Sequence, residues 1–217
     1  LDPRRVTVLE PAAAPQLAAL TARGLRLNPP ADARSRADVV LLAVKPQTAA
    51  AIVPGLRPVV GPATLVLSIM AGRTLAFLAD ALSVPAALVR AMPNTPAAIG
   101  RGITVAVPGR GVAAPQRAIA DALLAACGAV ERVTDEALLD AVTAVSGSGP
   151  AYVFLLAETL AQAGIEAGLP PALAARLAAE TVAGAGELLH RASLDPATLR
   201  DNVTSPGGTT AAALGVL

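Results

Sequence analysis

The sequence has no tryptophan, one cysteine, one histidine, one tyrosine and two phenylalanines, and each shortage removes a class of chemistry. A single cysteine, Cys127, cannot close an intrachain disulfide, and the only histidine, His190, lies far from it in the chain. No metal site is therefore expected, and the cysteine usage fits a reduced cytoplasm. Cys127 reads as a small buried apolar residue and His190 as a polar group near a helix end beside Arg191. Charge is scarce too: 15% of residues are charged, the formal net charge is +1, and no run of lysine or arginine offers a footprint for nucleic acid. Apolar runs such as residues 39–44 are short, and the longer helical pattern after Ala151 is interrupted by Glu158, Gln162 and Glu166. No membrane span is expected, and the opening Leu1-Asp2-Pro3-Arg4-Arg5 leads into no signal-peptide core.

What is present is small and aliphatic. Hydrophobic residues make up 54% of the 217 positions, so a sizeable core must be built from Ala, Val, Leu and Ile at close backbone distances. Up to about residue 133, short β-branched runs alternate with alanine-rich helical stretches, the pattern of a parallel sheet covered on both faces. Strands are predicted at residues 6–9, 39–44, 65–69, 87–91, 103–107 and 130–133, with helices at 11–22, 48–56, 74–82 and 115–127. From Thr134 the strand signal stops. Thr134 or Asp135 reads as an N-cap before Ala137, one helix follows Pro150 to a stop at Gly168, and another starts at Pro170-Pro171. Asp195-Pro196 and Ser205-Pro206 both look like N-caps with proline at the first helical position. The predicted architecture is an α/β Rossmann-type nucleotide-binding domain at 1–133 followed by an all-α domain at 134–217.

In a doubly wound sheet the dinucleotide lies at the carboxyl ends of the strands. The loops that matter are therefore Lys45-Pro46-Gln47 and Met70-Ala71-Gly72. The Gly-x-Gly-x-x-Gly turn that opens a complete nucleotide domain is absent, and the first visible strand ends in Glu10. An acidic residue at the end of the second strand of such a fold grips the adenosine ribose. The chain is accordingly expected to begin just before that second strand, and to stop short of the C-terminal end at Gly215-Val216-Leu217. In the helical part, residues 146–152, Ser-Gly-Ser-Gly-Pro-Ala-Tyr, break a helical pattern and would expose amides and hydroxyls at a helix N-terminus. Residues 202–210, Asn-Val-Thr-Ser-Pro-Gly-Gly-Thr-Thr, have the same character. Each segment singly also reads as an ordinary connecting turn.

Taken together and in order, five segments resemble pyrroline-5-carboxylate reductase: Ala43-Val44-Lys45-Pro46-Gln47, Ser68-Ile69-Met70-Ala71-Gly72, Arg90 through Ala97 (Arg-Ala-Met-Pro-Asn-Thr-Pro-Ala), Asp140 through Tyr152, and Asn202 through Thr210. The resemblance implies reduction of a cyclic imine to L-proline by NADPH or NADH, the last step of proline biosynthesis, in a cytoplasmic homodimer or larger homo-oligomer. It implies that Ala43, Val44, Lys45 and Pro46, with Ile69, Met70, Ala71 and Gly72, line the cofactor, and that Asn202 reaches its nicotinamide portion. Substrate contacts fall on Glu136, Thr143, Thr209 and Thr210. The helical domain carries substrate binding and dimerisation, and the turn from Ser205 to Thr210 would complete a partner's site.

The residue types suit that chemistry. The substrate carboxylate needs neutral donors, such as the amides and hydroxyls of Gly207, Gly208, Thr209 and Thr210, and Thr143 is the candidate to hold the imine nitrogen while solvent supplies the proton. One position departs from the pattern of NADPH-preferring members: Glu10 stands where a small polar or basic residue would receive the 2′-phosphate. That favours NADH unless Arg4, Arg5 or Arg34 compensates. Two other readings compete. A β-hydroxy-acid dehydrogenase would need a lysine in the helical domain, and the one lysine is Lys45. A non-enzymatic dimerisation or binding module would follow if the molecule truly began at Leu1.

Overall fold

The computed structural model describes residues 1–12, 15–30 and 36–216. The chain forms two compact units, Leu1–Gly147 and Ser148–Leu217. In the first, strands β1 (Thr7–Val8) and β2 (Arg26–Leu27) make a small parallel pair, with helix α1 (Pro15–Thr21) between them in sequence. Five further strands form one sheet in the order β3 (Val39–Leu42), β4 (Leu65–Ser68), β5 (Ala87–Met92), β6 (Gly102–Pro108) and β7 (Gly128–Arg132). The pairing is parallel except between β5 and β6, which run antiparallel. That exception corrects the expectation of an all-parallel sheet: only a short 3-10 helix, Thr95–Ile99, separates these strands, too little chain for a crossover.

Alternation along β4 explains the two-faced core. Leu65 and Leu67 point to one side, where they pack with Val89, Ala91, Ala120 and Leu124; the last two belong to α4 (Ala114–Leu124). Val66 points to the other, into Leu42, Ala49, Val53, Met70, Leu78 and Leu82. These include residues of α2 (Ala49–Ile52) and α3 (Leu75–Leu82). The predicted helix at 48–56 is really α2 between 3-10 helices at Pro46–Thr48 and Val53–Val59, because Pro54 and Pro58 withhold the amides a longer α-helix needs. The predicted helix at 11–22 is observed only at Pro15–Thr21, and its residues 13 and 14 lie outside the described residues. Strand β2 has no counterpart among the predicted elements: two residues leave no periodicity to read. Cys127 is exposed, contrary to expectation, since it ends the 3-10 helix Ala125–Cys127 beyond the packed face of α4.

Strand character ends where expected, near Thr134, but packing divides the chain later. Helix α5 (Leu138–Val142) buries Leu139 fully against Val105 and Val107 of β6, which draws it into the first unit. Neither Thr134 nor Asp135 is the cap expected there: the helix starts at Leu138 with Ala137 as its N-cap and no side-chain cap bond, while the side chain of Asp135 accepts from the Ala137 amide at 2.9 Å in the turn before it. After α5 the backbone widens into a π-helical turn, Thr143–Gly147. The Ser-Gly-Ser-Gly segment is therefore no open break. Ser148 is itself in a right-handed helical conformation and caps nothing with its side chain.

The second unit is all helix: α6 (Gly149–Glu166), α7 (Pro171–Arg191), α8 (Pro196–Asn202) and α9 (Thr209–Leu214). Helices α6 and α7 close on small residues. A Cβ added at Gly164 would stand 3.2 Å from Ala174 Cβ, and Ala174 and Ala178 are the buried residues of α7. The large apolar side chains point elsewhere. Tyr152, Phe154, Leu155, Leu156, Leu160, Leu173, Leu177 and Leu188 are all exposed. Among the described residues one helical run, Leu138–Glu166, is long and apolar enough to cross a membrane by length and composition, where the sequence reading expected none. Glu158 and Glu166 are too few to interrupt it. Asp195 caps α8 as predicted. Ser205-Pro206 does not cap α9: the N-cap is Gly208, and the residues before it form a turn in which Gly207 takes φ +72°.

Candidate active site

The cofactor-loop candidates are built at the carboxyl ends of two adjacent parallel strands. After β3 the chain passes through Ala43 and Val44 to the exposed Lys45 and turns at Pro46. Thr48 secures the turn, its hydroxyl donating to the Lys45 carbonyl at 2.9 Å. After β4 the Ile69 amide donates to the Leu42 carbonyl at 3.0 Å, which keeps the second loop beside the first. Met70 is buried and its amide donates to Ser68 Oγ. Gly72 turns the backbone at φ +66°, a conformation in which a side chain is strained. Arg73 then reaches back: its Nε donates to the Pro46 carbonyl at 2.7 Å, and its guanidinium lies 4.8 Å from the centre of the Phe77 ring. The two loops are thus one surface, and Arg73 is a residue that sequence reasoning missed. Its signal was weak, since an arginine after a glycine turn looks like solvated charge.

Glu10 stands at the end of β1 in the separate two-stranded sheet. Asn28 holds its backbone from both sides: Asn28 Oδ1 accepts from the Glu10 amide at 2.9 Å and Asn28 Nδ2 donates to the Glu10 carbonyl at 2.8 Å. Asn28 has φ +47°, which asparagine tolerates better than most residues. One carboxylate oxygen of Glu10 accepts from the Ala12 amide at 3.1 Å. Of the arginines weighed as compensators, Arg4 pairs with Asp2 and Arg5 with Asp38, while Arg34 lies outside the described residues.

Thr143 opens the π turn, partly buried, and its hydroxyl donates to the Leu139 carbonyl at 2.7 Å. Its proton is therefore committed to backbone, and the oxygen is left to accept. Gly147 closes the turn against β5: a Cβ there would come within 2.6 Å of Met92 Cε. Glu136 is held by two donors on a single oxygen, the Leu75 amide at 2.8 Å and Arg90 Nη1 at 2.9 Å. Arg90 is a buried charge in the middle of β5. Its position in an otherwise apolar strand was the signal that a carboxylate had to meet it.

The remaining candidates belong to the second unit. Asn202 ends α8, exposed, on a helix whose start is fixed by Asp195. Asp195 accepts from the Thr198 amide at 3.0 Å and the Thr198 hydroxyl at 2.7 Å; these bonds hold its carboxyl below the usual carboxylate range. Ser205 lends its carbonyl to the Gly208 amide at 3.0 Å. Gly207 and Gly208 lead into Thr209 and Thr210 at the start of α9, where no side chain caps the first-turn amides. The donors this turn carries are thus neutral amides and hydroxyls.

A doubly wound nucleotide-type sheet followed by a helical unit defines a two-unit oxidoreductase of the dinucleotide-binding class. Residues 136–217 match the family model described as pyrroline-5-carboxylate reductase dimerisation. The chain is 45% identical over 184 residues to the pyrroline-5-carboxylate reductase of Pseudomonas aeruginosa, covering 85% of this chain and 67% of that protein. Its fold superposes on a pyrroline-5-carboxylate reductase from Coxiella burnetii with a TM-score of 0.87 at 33% identity, over 99% of this chain and 80% of that one. A Plasmodium falciparum pyrroline carboxylate reductase with NADP bound gives a TM-score of 0.80 at 28% identity, over 97% of this chain and 78% of that one. This chain belongs to the pyrroline-5-carboxylate reductase family.

Proposed function

We propose that the protein reduces 1-pyrroline-5-carboxylate to L-proline, and that the cofactor is NADPH or NADH held by the loops after β3 and β4. The observation that carries this is the joining of those loops by Arg73 into one surface at the carboxyl ends of parallel strands, where such cofactors lie in this class of sheet. When bound, the nicotinamide supplies the hydride. The residues Ala43 to Pro46 and Ile69 to Gly72 orient it.

Thr143 has an oxygen free to accept and no proton to give. That matches a protonated imine, whose N–H is a donor, better than a neutral one. The protein thus favours the iminium form, the better hydride acceptor, with the proton drawn from solvent. Gly207, Gly208, Thr209 and Thr210 present neutral donors for the substrate carboxylate, with Ser205 bracing the turn. The exposed apolar faces of α6 and α7 are covered by a second copy, and the turn from Ser205 to Thr210 completes that copy's site. A free cysteine and the absence of basic runs suit a cytoplasmic enzyme with a small-molecule substrate and no nucleic-acid or membrane partner; a dimer also accounts for the apolar Leu138–Glu166 run without a bilayer.

The test is turnover by the intact protein, followed as loss of reduced-nicotinamide absorbance. Oxidation only when pyrroline-5-carboxylate is supplied is the expected result; equal turnover with a 2-keto acid would refute the proposal.

A further inference from the structure

We infer that Glu136 is a positioning residue rather than a substrate ligand: through Arg90 and the Leu75 amide it locks the cofactor loop after β4 and the end of β5 to the segment that carries Thr143. The inference rests on the reductase reading above. Three chain segments meet on one carboxylate oxygen. The Leu75 amide, 2.8 Å away, opens α3 just after the turn at Gly72. Arg90 Nη1, 2.9 Å away, belongs to β5 two residues before Met92. Glu136 itself leads into α5, whose continuation is Thr143. The surroundings agree: Leu75, Met92 and Val142 pack around the same apolar cluster of Val105, Val107 and Leu139, and Met92 also meets Gly147 at the far end of the π turn.

Burial and charge argue against direct contact with substrate. The Arg90 side chain is 5% exposed and that of Glu136 28%, so the pair is turned toward the protein, with the arginine's charge answered by the carboxylate. The Glu136 oxygen that would face a ligand already accepts from the Leu75 amide and from Arg90 Nη1. Paired with Arg90 and an α-helix N-terminal amide, Glu136 instead spends its charge internally, where it fixes geometry.

The two roles separate in a double-mutant cycle on the intact protein, reading kcat, the KM for the imine, and the affinity for the reduced cofactor from its fluorescence. If Glu136 positions through Arg90, Glu136→Ala and Arg90→Met each lower kcat, by up to about 100-fold for a misplaced site. Cofactor affinity falls with them, and the double variant is no worse than either single one. Glu136→Gln, which keeps an oxygen for Leu75 and Arg90, stays near wild type in both kcat and imine KM. Multiplicative effects in the cycle, or a raised imine KM in Glu136→Gln with cofactor affinity intact, would overturn the inference. Should Arg90→Met or Glu136→Ala fail to fold, the Gln variant decides alone on the same criterion. A wild-type protein with no imine-dependent turnover would sink the reductase reading itself, an outcome distinct from an active wild type with independent variants.

Discussion

Arg73 donates from Nε to the carbonyl oxygen of Pro46 at 2.7 Å, so the loop after one strand is fastened to the loop after its neighbour by a single side chain. A hydrogen bond from a charged donor contributes about 1.5 to 3 kcal/mol. Arg73→Ala is expected to raise the cofactor KM about tenfold, the low end of that range because the loops relax, while leaving the imine KM unchanged. Steady-state kinetics with each substrate varied in turn decide it. A change confined to the imine would show that Arg73 serves something other than the cofactor surface.

Thr143→Val keeps shape and removes the oxygen that remains free to accept. Losing one such contact in the transition state costs about 10- to 1000-fold in kcat/KM. Unchanged kcat/KM would leave Thr143 with only its bond to the Leu139 carbonyl, a role in the π turn alone.

Cofactor choice is expected to turn on Glu10, whose backbone is pinned by Asn28 and whose carboxylate has one oxygen on the Ala12 amide. The other oxygen can take a ribose hydroxyl, and the charge opposes a 2′-phosphate. Glu10→Ser is expected to move the ratio of kcat/KM values toward NADPH by at least roughly tenfold. A wild type that already prefers NADPH, with a ratio the substitution does not move, would place the ribose elsewhere.

Leu155 and Leu177 are exposed on α6 and α7, and apolar patches of this kind mark interfaces. Sedimentation at micromolar concentration should show at least a dimer. Leu155→Glu together with Leu177→Glu should shift it to monomer and abolish turnover, and a monodisperse wild-type monomer would contradict the proposed assembly.

The cap of α8 gives a pH dependence whose sign is determined. The Thr198 hydroxyl and amide lower the Asp195 carboxyl below its ordinary value of 3.8. The stabilisation is therefore fully present above that value and is lost as pH falls through the lower folded one. Asp195→Asn keeps an acceptor for the Thr198 amide and does not titrate. The melting-temperature advantage of wild type over this variant should shrink between about pH 6 and about pH 3; a constant difference would mean that ionisation of Asp195 adds nothing to the cap.

Much of the fold was legible because strand alternation and capping are local. β4 and α3 lie within a residue of their predicted bounds, and Asp195-Pro196 marked the start of α8. What stayed hidden depends on contacts distant in sequence or on departures from a regular period. The antiparallel turn of β6 depends on where the chain goes after Ile99, and the π turn has no residue signature apart from its one glycine, Gly147. Asn28, Arg73 and Arg90 act on Glu10, Pro46 and Glu136, 18, 27 and 46 positions away, distances no window along the chain could join. For the same reason the motifs located Thr143 and Glu136 without revealing that Thr143 can only accept or that Glu136 is already occupied.

Lys45 is the single lysine of this chain and is exposed in the loop after β3. That singularity makes the loop chemically addressable. An amine-directed reagent applied to this chain has one side chain to modify, so the extent of acylation at Lys45, read by peptide mass, becomes a footprint of whatever shields that loop. Titrating NADH or NADPH against the labelling would report occupancy of the surface without any turnover, in a protein whose lack of tryptophan denies it the usual intrinsic optical reporter.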